Sequence, residues 1–290
     1  MAKELSRALE IERTIQTTYR KKIWSPFVRA LKDFDMIQPN DKIAVCISGG
    51  KDSMLMALLF KMIQRITTIP FEVVYLVMDP GYNERNLQKI KDNAETLEIP
   101  ITVFNTRIFD ATLNIEKNPC YICARMRRGY LYQKAEELGC NKIALGHHYN
   151  DVIETTLMSM LNGGQIQGML PRLYSTNYKG MELIRPLYYV HEDCILNWRN
   201  RNELEFIACA CKMTENINEK GEQTDSARQR VKMLIKELKK TNEFVEDNIF
   251  MSMNNVQLDT VLGYKVKDKK FSFMERFNKT NKNGDKKDAE

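Results

Sequence analysis

The sequence contains no long apolar run. No stretch of its 290 residues approaches the roughly 20 consecutive apolar residues that a membrane-spanning helix needs. The first residues, MAKELSRALEIERTIQ, are charged and therefore unlike a signal-peptide core. There is also no internal repeat. These absences predict a cytoplasmic protein that has no membrane partner.

Disulfide bonds are not expected in that reducing compartment, although the chain has seven cysteines. The spacing of one pair, Cys120-Tyr121-Ile122-Cys123, points instead to metal or redox chemistry. Cys46, Cys140 and Cys194 have no such spacing and are predicted to be packing residues.

A net charge of +6 favours a polyanionic partner. Basic residues cluster at Lys21-Lys22, at Arg125 with Arg127-Arg128, and at Arg199 with Arg201. Any single cluster is typical of a solvated helix face, and only their sum favours nucleic acid.

Short apolar runs alternate with segments of helical periodicity along most of the chain. A helix interrupted at Pro26 is predicted over residues 4–36, and a strand at 42–47 is followed by a helix. Such alternation predicts an α/β fold with a parallel sheet, an N-terminal helical extension and C-terminal helices. Further strands are predicted at 73–77, 101–104, 142–145 and 182–184, and further helices at 84–97, 125–138, 151–161, 192–202 and 225–240.

Three regions follow from this reading. Residues 1–36 form the N-terminal helical segment, 37–240 the catalytic domain, and 241–290 a C-terminal extension. From Lys265 onward the chain is rich in Lys, Asp and Asn, which predicts partial disorder.

The segment Ser48-Gly49-Gly50-Lys51-Asp52-Ser53 lies between the first strand and its helix. Glycines allow the backbone to cup a phosphate, the serine hydroxyls add donors, and the helix N-terminus adds partial positive charge. Lys51 adds a full charge. The loop is therefore predicted to bind an anion.

This loop lacks the Gly-x-x-x-x-Gly-Lys-Ser/Thr order of a P-loop. It resembles instead the pyrophosphate loop of the N-type ATP pyrophosphatases. That resemblance implies cleavage of ATP between its α and β phosphates and transfer of AMP to a substrate oxygen.

The cysteine pair has three readings on its own: half of a zinc site, a redox pair, or two ligands of an iron–sulfur cluster. Cys209 and Cys211 could complete a four-thiolate zinc site. Three thiolates on a four-iron cluster would instead leave one iron open for a ligand such as sulfide. The residues alone do not choose between these sites.

Taken together, the motifs resemble the TtcA family, the tRNA 2-thiocytidine biosynthesis proteins. The similarity runs from about residue 35 to 235. It rests on Phe34-Asp35-Met36-Ile37, Ser48 to Ser53, Cys120/Cys123, Gly146-His147-His148-Tyr149-Asn150-Asp151, Gly163-Gly164 with Gly168-Met169, Arg185-Pro186-Leu187 and Cys209.

The resemblance implies an adenine-nucleotide α-hydrolase-like fold of Rossmann type, with ATP and Mg²⁺ at Ser48 to Ser53. It implies a [4Fe-4S] cluster on Cys120, Cys123 and Cys209, with tRNA and a sulfur donor, either a cysteine desulfurase or sulfide, as partners. A homodimer is compatible with it. In this family the second cysteine pair along the chain usually has the spacing Cys-x-x-Cys, whereas this chain has Cys209-Ala210-Cys211. The role of Cys211 therefore stays open.

Three further positions are candidates because they follow strands, where open α/β sheets bind ligands. Asp79 is placed to bind ribose or adenine, or equally to cap its own loop. Gly146 and Asp151 are expected at the ATP site, with Asp151 positioning magnesium or nucleotide. His147 and His148 are predicted to be hydrogen-bonded residues at the end of a strand. Arg185 is predicted either to contact phosphate or RNA or to hold a loop in place.

The predicted activity is ATP-dependent tRNA thiolation, in which a base carbonyl, C2 of cytidine, is adenylated and its oxygen is replaced by sulfur. Cys120, Cys123, Cys209, Asp52 and Asp151 are the predicted catalytic residues. Two alternatives are a related ATP pyrophosphatase with another substrate and a structural zinc, and a nucleotide-binding regulator without turnover.

Overall fold

The computed structural model describes residues 5–109, 119–207 and 226–284, with side chains for 5–109, 122–207 and 226–278. Its first elements are helix α1 (Arg7–Gln16), a π-helical turn (Arg20–Trp24) and helix α2 (Ser25–Asp33). The predicted interruption at Pro26 was misplaced. The break comes earlier, and Pro26 lies in the first turn of α2, where its missing N–H costs no hydrogen bond.

A six-stranded sheet forms the centre of the fold, in the order β3-β2-β1-β4-β6-β5. Every pairing is parallel except that of the edge strand β5, which is antiparallel to β6. The sequence did not predict β5, because a strand of three residues is too short to show an alternation of apolar and polar residues. The strands are β1 (Lys42–Ile47), β2 (Glu72–Asp79), β3 (Ile101–Asn105), β4 (Lys142–Ala144), β5 (Arg172–Tyr174) and β6 (Glu182–Ile184).

Helices connect these strands, so the predicted α/β class is confirmed. Strand β1 is buried along nearly its whole length, as expected of a central parallel strand covered on both faces. The helices are α3 (Lys51–Gln64), α4 (Glu84–Thr96), α5 (Pro119–Glu137), α6 (Tyr149–Gly163), α7 (Glu192–Arg201) and α8 (Ala227–Lys239).

Helix α5 begins at Pro119, six residues before its predicted start. Proline is favoured in the first turn of a helix because its fixed φ suits that position. As a result, Cys120 and Cys123 belong to the helix itself. Positions three apart lie on one face of a helix.

The amino ends of the strands carry a buried ion-pair network. Lys142 Nζ lies 2.7 Å from Asp41 Oδ2 and 3.7 Å from Glu182 Oε2. Arg172 binds Glu182 through two nitrogens. These charges are satisfied by one another, so this edge of the sheet has a structural role.

By its packing the chain divides into Met1–Lys236 and Glu237–Glu290. The N-terminal helices thus belong to the same unit as the sheet. The second unit contains α9 (Val245–Ser252), the hairpin β7 (Gly263–Val266) and β8 (Lys269–Ser272), and α10 (Phe273–Gly284). The rings of Tyr264 and Phe271 stack across this hairpin, with their centroids 4.7 Å apart. The partial disorder predicted from Lys265 onward stays a prediction. Among the described helices, none is both long and apolar enough to cross a bilayer.

Candidate functional site

A short loop, Ser48 to Gly50, joins β1 to α3 at the carboxyl edge of the sheet. Its Gly49 has φ +83°, a left-handed conformation that favours glycine. A Cβ added to Gly49 would lie 2.6 Å from Ile207 Cδ1 and 2.6 Å from Ile90 Cγ1. Glycine is therefore needed here both for the backbone angle and for the packing of the loop.

The hydroxyl of Ser53 holds this loop in shape. It donates to the Gly50 carbonyl at 3.0 Å and accepts from the Ser48 N–H at 3.1 Å. The Ser48 hydroxyl lies 3.1 Å from Ser53 Oγ and donates to it, because the Ser53 proton is already used. The two predicted phosphate donors thus also fix the backbone that surrounds them.

Helix α3 begins directly after the loop, with Gly50 as an N-cap that has no side chain to occupy the helix end. The first N–H groups of a helix have no partner inside it, and the helix dipole is positive there. Gly146, after β4, lets the next connection approach closely, since a Cβ would lie 3.1 Å from both N and Cα of Ser53. This helix end suits an anion.

Lys51 is held by two carboxylates. Its Nζ lies 3.1 Å from Asp52 Oδ2 and 3.2 Å from Glu192 Oε1, and Glu192 Oε2 also accepts from Lys232 Nζ at 2.5 Å. Burial works against the charged amine, but Asp52 and Glu192 outweigh it and raise the pKa of Lys51. Burial also opposes the charge on Glu192, yet Lys232 and Lys51 lower the pKa of Glu192 to about 2. This chain of charges connects α8 to the loop through α7.

His148 and Asp151 form a capping box at the start of α6. The His148 N–H donates to Asp151 Oδ2 at 3.0 Å, and the Asp151 N–H donates to His148 Nδ1 at 3.4 Å. Because Nδ1 accepts, the imidazole proton is assigned to Nε2, which lies 3.8 Å from Asp52 Oδ1. His148 therefore sits between the two predicted acidic residues, Asp52 and Asp151.

Arg228 of α8 donates to the other oxygen of Asp151, Oδ1, at 2.8 Å. Burial would raise the pKa of Asp151, but its interactions with the imidazole and the backbone N–H of His148 and the charge of Arg228 together lower that pKa. By contrast, burial raises the pKa of Glu154 one turn along the same helix. Asp151 is thus an ionised carboxylate with a cation already beside it.

A cavity of about 320 Å³ opens over the loop. Two buried polar atoms here, Asp52 Oδ1 and His147 Nδ1, have no hydrogen-bond partner among the described residues. Burial lowers the pKa of His147 to about 4, so its ring is neutral at pH 7. An ionised carboxylate oxygen without a partner fits a cation such as Mg²⁺. The lining residues are Cys46, Ile47, Ser48, Asp52, Ser53, Met78, Arg127, Leu131, Leu145, Gly146, His147 and Asp151.

Two other candidates have local structural contacts. Asp79 Oδ1 accepts from the N–H groups of Gly81 and Tyr82 at 2.9 and 2.7 Å, so this oxygen caps its own loop. Arg185 donates to the carbonyl of Leu170. The burial of Arg185 lowers its pKa to about 10. Neither side chain lines the cavity described above.

Sequence reasoning missed Tyr82 and Arg127 as parts of the site. The Tyr82 hydroxyl donates to the Ser48 carbonyl at 3.3 Å and accepts from Arg127 Nη2 at 3.0 Å. It also missed Glu192, Arg228 and Lys232. Arg127 had been seen only as one charge in a basic cluster, and nothing in the pattern of charges indicated which of them would face the loop.

The predicted cluster ligands fall largely outside the described side chains. Cys209 and Cys211 lie in the segment 208–225, and the side chain of Cys120 also falls outside. The side chain of Cys123 is described, and it is half-buried. Arg127 lies one turn after it, so the face of α5 that carries Cys123 also carries a residue that lines the cavity.

The other cysteines behave as packing residues. Cys46 and Cys140 are buried. Burial raises the pKa of Cys46 to about 12, and it also raises the pKa values of Cys140 and Cys194. A thiol that stays protonated at pH 7 is a poor nucleophile and a poor metal ligand.

Comparison with known proteins gives the family. A family model described as the PP-loop domain matches residues 16–218. The tRNA-cytidine(32) 2-sulfurtransferase of Coxiella burnetii is 35% identical over 249 residues, which are 85% of this chain and 94% of the relative. The chain belongs to the PP-loop family, in the branch of these sulfurtransferases. The predicted family is therefore confirmed.

Other relatives agree with this PP-loop assignment. The tRNA-cytidine(32) 2-sulfurtransferase of Geobacter sulfurreducens is 34% identical over 241 residues, 82% of this chain and 90% of the relative. The solved structure of the U34-tRNA thiolase NcsA from Methanococcus maripaludis, with its [4Fe-4S] cluster, matches with a TM-score of 0.61 at 21% identity. It covers 82% of this chain and 80% of that one. At this identity the likeness shows the PP-loop fold.

Proposed function

We propose that this protein is an ATP-dependent tRNA sulfurtransferase that adenylates the oxygen of the C2 carbonyl of a cytidine and replaces this oxygen with sulfur. The relatives named for this activity cover most of the chain. The observation that carries the proposal is the face of α5, where Cys123 precedes Arg127 by one turn and Arg127 lines the cavity over the phosphate loop. This arrangement supports cysteine chemistry next to the nucleotide site.

In this proposal the phosphates of ATP bind at the start of α3. The N–H groups there and the loop hydroxyls stabilise negative charge as it develops in the transition state. Asp52 and Asp151 are the residues that would hold Mg²⁺, since Asp52 Oδ1 accepts no hydrogen bond from the described residues and Asp151 is ionised. Arg228 would then give up or share its contact with Asp151.

The carbonyl oxygen of the cytidine attacks the α-phosphorus of ATP, and the bond to the β-phosphate oxygen breaks to release pyrophosphate. Sulfide then attacks the activated carbon, and AMP leaves. Arg127 lies at the cavity wall with its guanidinium near Tyr82, where it can hold a phosphate next to the base. Holding the two reactants together supplies much of the rate.

Three cysteines, Cys120, Cys123 and Cys209, would hold a [4Fe-4S] cluster. Such a cluster with three protein ligands supplies an open iron that can carry sulfide. Cys209 follows Ile207 by two residues, and Ile207 packs against Gly49 of the loop. The sulfur donor, a homodimer and a cytoplasmic location stay predictions.

The experiment that tests the proposal is anaerobic purification of the full chain, followed by iron, sulfide and zinc analysis and incubation with ATP and tRNA. We expect about four irons per chain and release of AMP and pyrophosphate that depends on tRNA. Zinc in place of iron would indicate instead an ATP pyrophosphatase that acts on another substrate and holds a structural zinc. No pyrophosphate release by iron-loaded protein would favour a nucleotide-binding regulator.

Lys232 is expected to affect nucleotide binding by Lys51, because both lysines contact Glu192. In Lys232→Gln, Glu192 keeps Lys51 as its cation but loses Lys232, so Glu192 neutralises more of the positive charge that Lys51 offers to a phosphate. We therefore expect about fivefold weaker binding of a non-hydrolysable ATP analogue, which corresponds to about 1 kcal/mol. Titration calorimetry measures this affinity. Lys236→Gln, an exposed lysine on the same helix, is the matched control.

The double variant Glu192→Gln/Lys232→Gln separates two explanations. If Lys232 acts through Glu192, removing both charges restores most of the affinity, since Asp52 is then the one carboxylate of this pair that still neutralises Lys51. If the double variant binds as weakly as Lys232→Gln, then Lys232 contacts the nucleotide itself and the explanation through Glu192 is wrong.

A further inference from the structure

The N-terminal segment carries a cluster of exposed positive charges. Between residues 18 and 34 there is one acidic residue, Asp33, against five basic ones, and all five basic side chains are exposed. None of the five forms an ion pair with a residue in the described parts of the chain. They are Arg20, Lys21, Lys22, Arg29 and Lys32.

Several cations elsewhere in the described residues are paired. Lys51, Lys142 and Arg172 each contact one or more carboxylates. A solvated helix face normally mixes both signs of charge. The N-terminal segment instead presents five positive charges against the single carboxylate of Asp33, which leaves its excess charge available to a polyanion.

Three of these five basic residues line a hollow. A cavity of about 290 Å³ is lined by Arg20, Trp24, Arg29 and Lys32, with Ser25, Val28 and Asp33 beside them. The π-helical turn at Arg20–Trp24 brings Arg20 and Trp24 to the same hollow as the side chains of α2. Cations next to an aromatic ring suit both the phosphates and the bases of RNA.

This surface is adjacent to the nucleotide site. The guanidinium of Arg29 lies over the ring of Tyr189, 4.3 Å from its centroid. Tyr189 precedes Glu192 by three residues, which span at most about 10 Å. Glu192 Oε1 in turn lies 3.2 Å from Lys51 Nζ. A polyanion bound at the segment is therefore within a few nucleotides of the phosphate loop.

We infer that this N-terminal basic surface, formed by Arg20, Lys21, Lys22, Arg29 and Lys32 around Trp24, binds the phosphate backbone of the tRNA substrate. The inference rests on the proposed function, because it names the surface that receives the tRNA. Each phosphate contact releases bound counterions, so the affinity for tRNA falls as salt concentration rises. The slope of the logarithm of the affinity against the logarithm of the salt concentration is proportional to the number of phosphate contacts.

The test compares three double variants of the full chain, purified anaerobically, in binding to fluorescently labelled tRNA between low and moderate salt. Arg29→Gln/Lys32→Gln removes two charges from the surface. Lys179→Gln/Lys236→Gln removes two exposed lysines elsewhere in the same unit. Arg20→Gln/Lys22→Gln is a second surface variant that leaves the Arg29 and Tyr189 contact in place.

We expect both surface variants to bind tRNA on the order of tenfold more weakly at low salt, with a salt slope reduced by about 1.5, as two lost phosphate contacts predict. Binding of the ATP analogue should not change, which also shows that the variants are folded. The control variant should bind tRNA like the unaltered chain.

Equal tRNA binding by the surface variants and the control would overturn this inference while leaving the proposed function intact. A loss of slope in the control as large as in the surface variants would also overturn it, because net charge alone would then explain binding. If the unaltered chain itself bound no tRNA, the proposed function would fail first.

Discussion

Replacing Cys123 with alanine is expected to abolish thiolation of tRNA while ATP binding persists. Cys123 is half-buried on the face of α5 that also carries the cavity-lining Arg127, and it lies outside the loop at which the phosphates are proposed to bind. With one of three ligands gone, the cluster should be lost or unstable. Thiolation should fall to the background rate, and iron content should fall with it.

The control for this exchange is Cys194→Ala. Cys194 is also half-buried, but it lies on α7 and burial raises the pKa of its thiol. We expect this variant to keep its iron and its thiolation rate. Full thiolation by Cys123→Ala, or an equal loss of iron in the control, would contradict the assignment of Cys123 as a ligand.

Replacing Ser53 with alanine is expected to do the reverse and weaken ATP turnover while iron content stays unchanged. The Ser53 hydroxyl accepts from the Ser48 N–H and donates to the Gly50 carbonyl, so its removal leaves loop groups without partners. An unsatisfied buried group costs about 1–3 kcal/mol, which corresponds to a loss of roughly 5- to 150-fold. Pyrophosphate release measures this effect.

Ser252→Ala is the matched control for Ser53, since that exposed serine bonds only a carbonyl of its own helix. Its pyrophosphate release should equal that of the unaltered chain. If Ser53→Ala lost iron as well as ATP turnover, the separation between a phosphate loop and a cluster site would be wrong.

Most of the fold was predictable because the central strands are strongly patterned. Strand β1 is a continuous apolar run followed at once by glycines, and the strand at Glu182–Ile184 was predicted at its observed bounds. The short edge strand β5 and the hairpin of β7 and β8 were missed. Three or four residues, without a long apolar run, carry too little periodicity to compete with a loop.

The candidate site was predictable only where its residues are adjacent in the chain. The loop from Ser48 to Ser53 and the segment from Gly146 to Asp151 stand out as local patterns. Glu192 and Arg228 do not, because their importance comes from contacts with Lys51 and Asp151 that only the folded chain creates. Asp79 shows the converse: its position after β2 suggested a ligand contact, while one of its oxygens caps its own turn.

The most direct test of the account is nucleoside analysis by mass spectrometry of tRNA incubated with the iron-loaded protein, ATP, Mg²⁺ and sulfide. The account predicts one 2-thiocytidine for each AMP and pyrophosphate released, and neither product when ATP is omitted. AMP and pyrophosphate formed without sulfur in the tRNA, or sulfur found on a uridine, would contradict it.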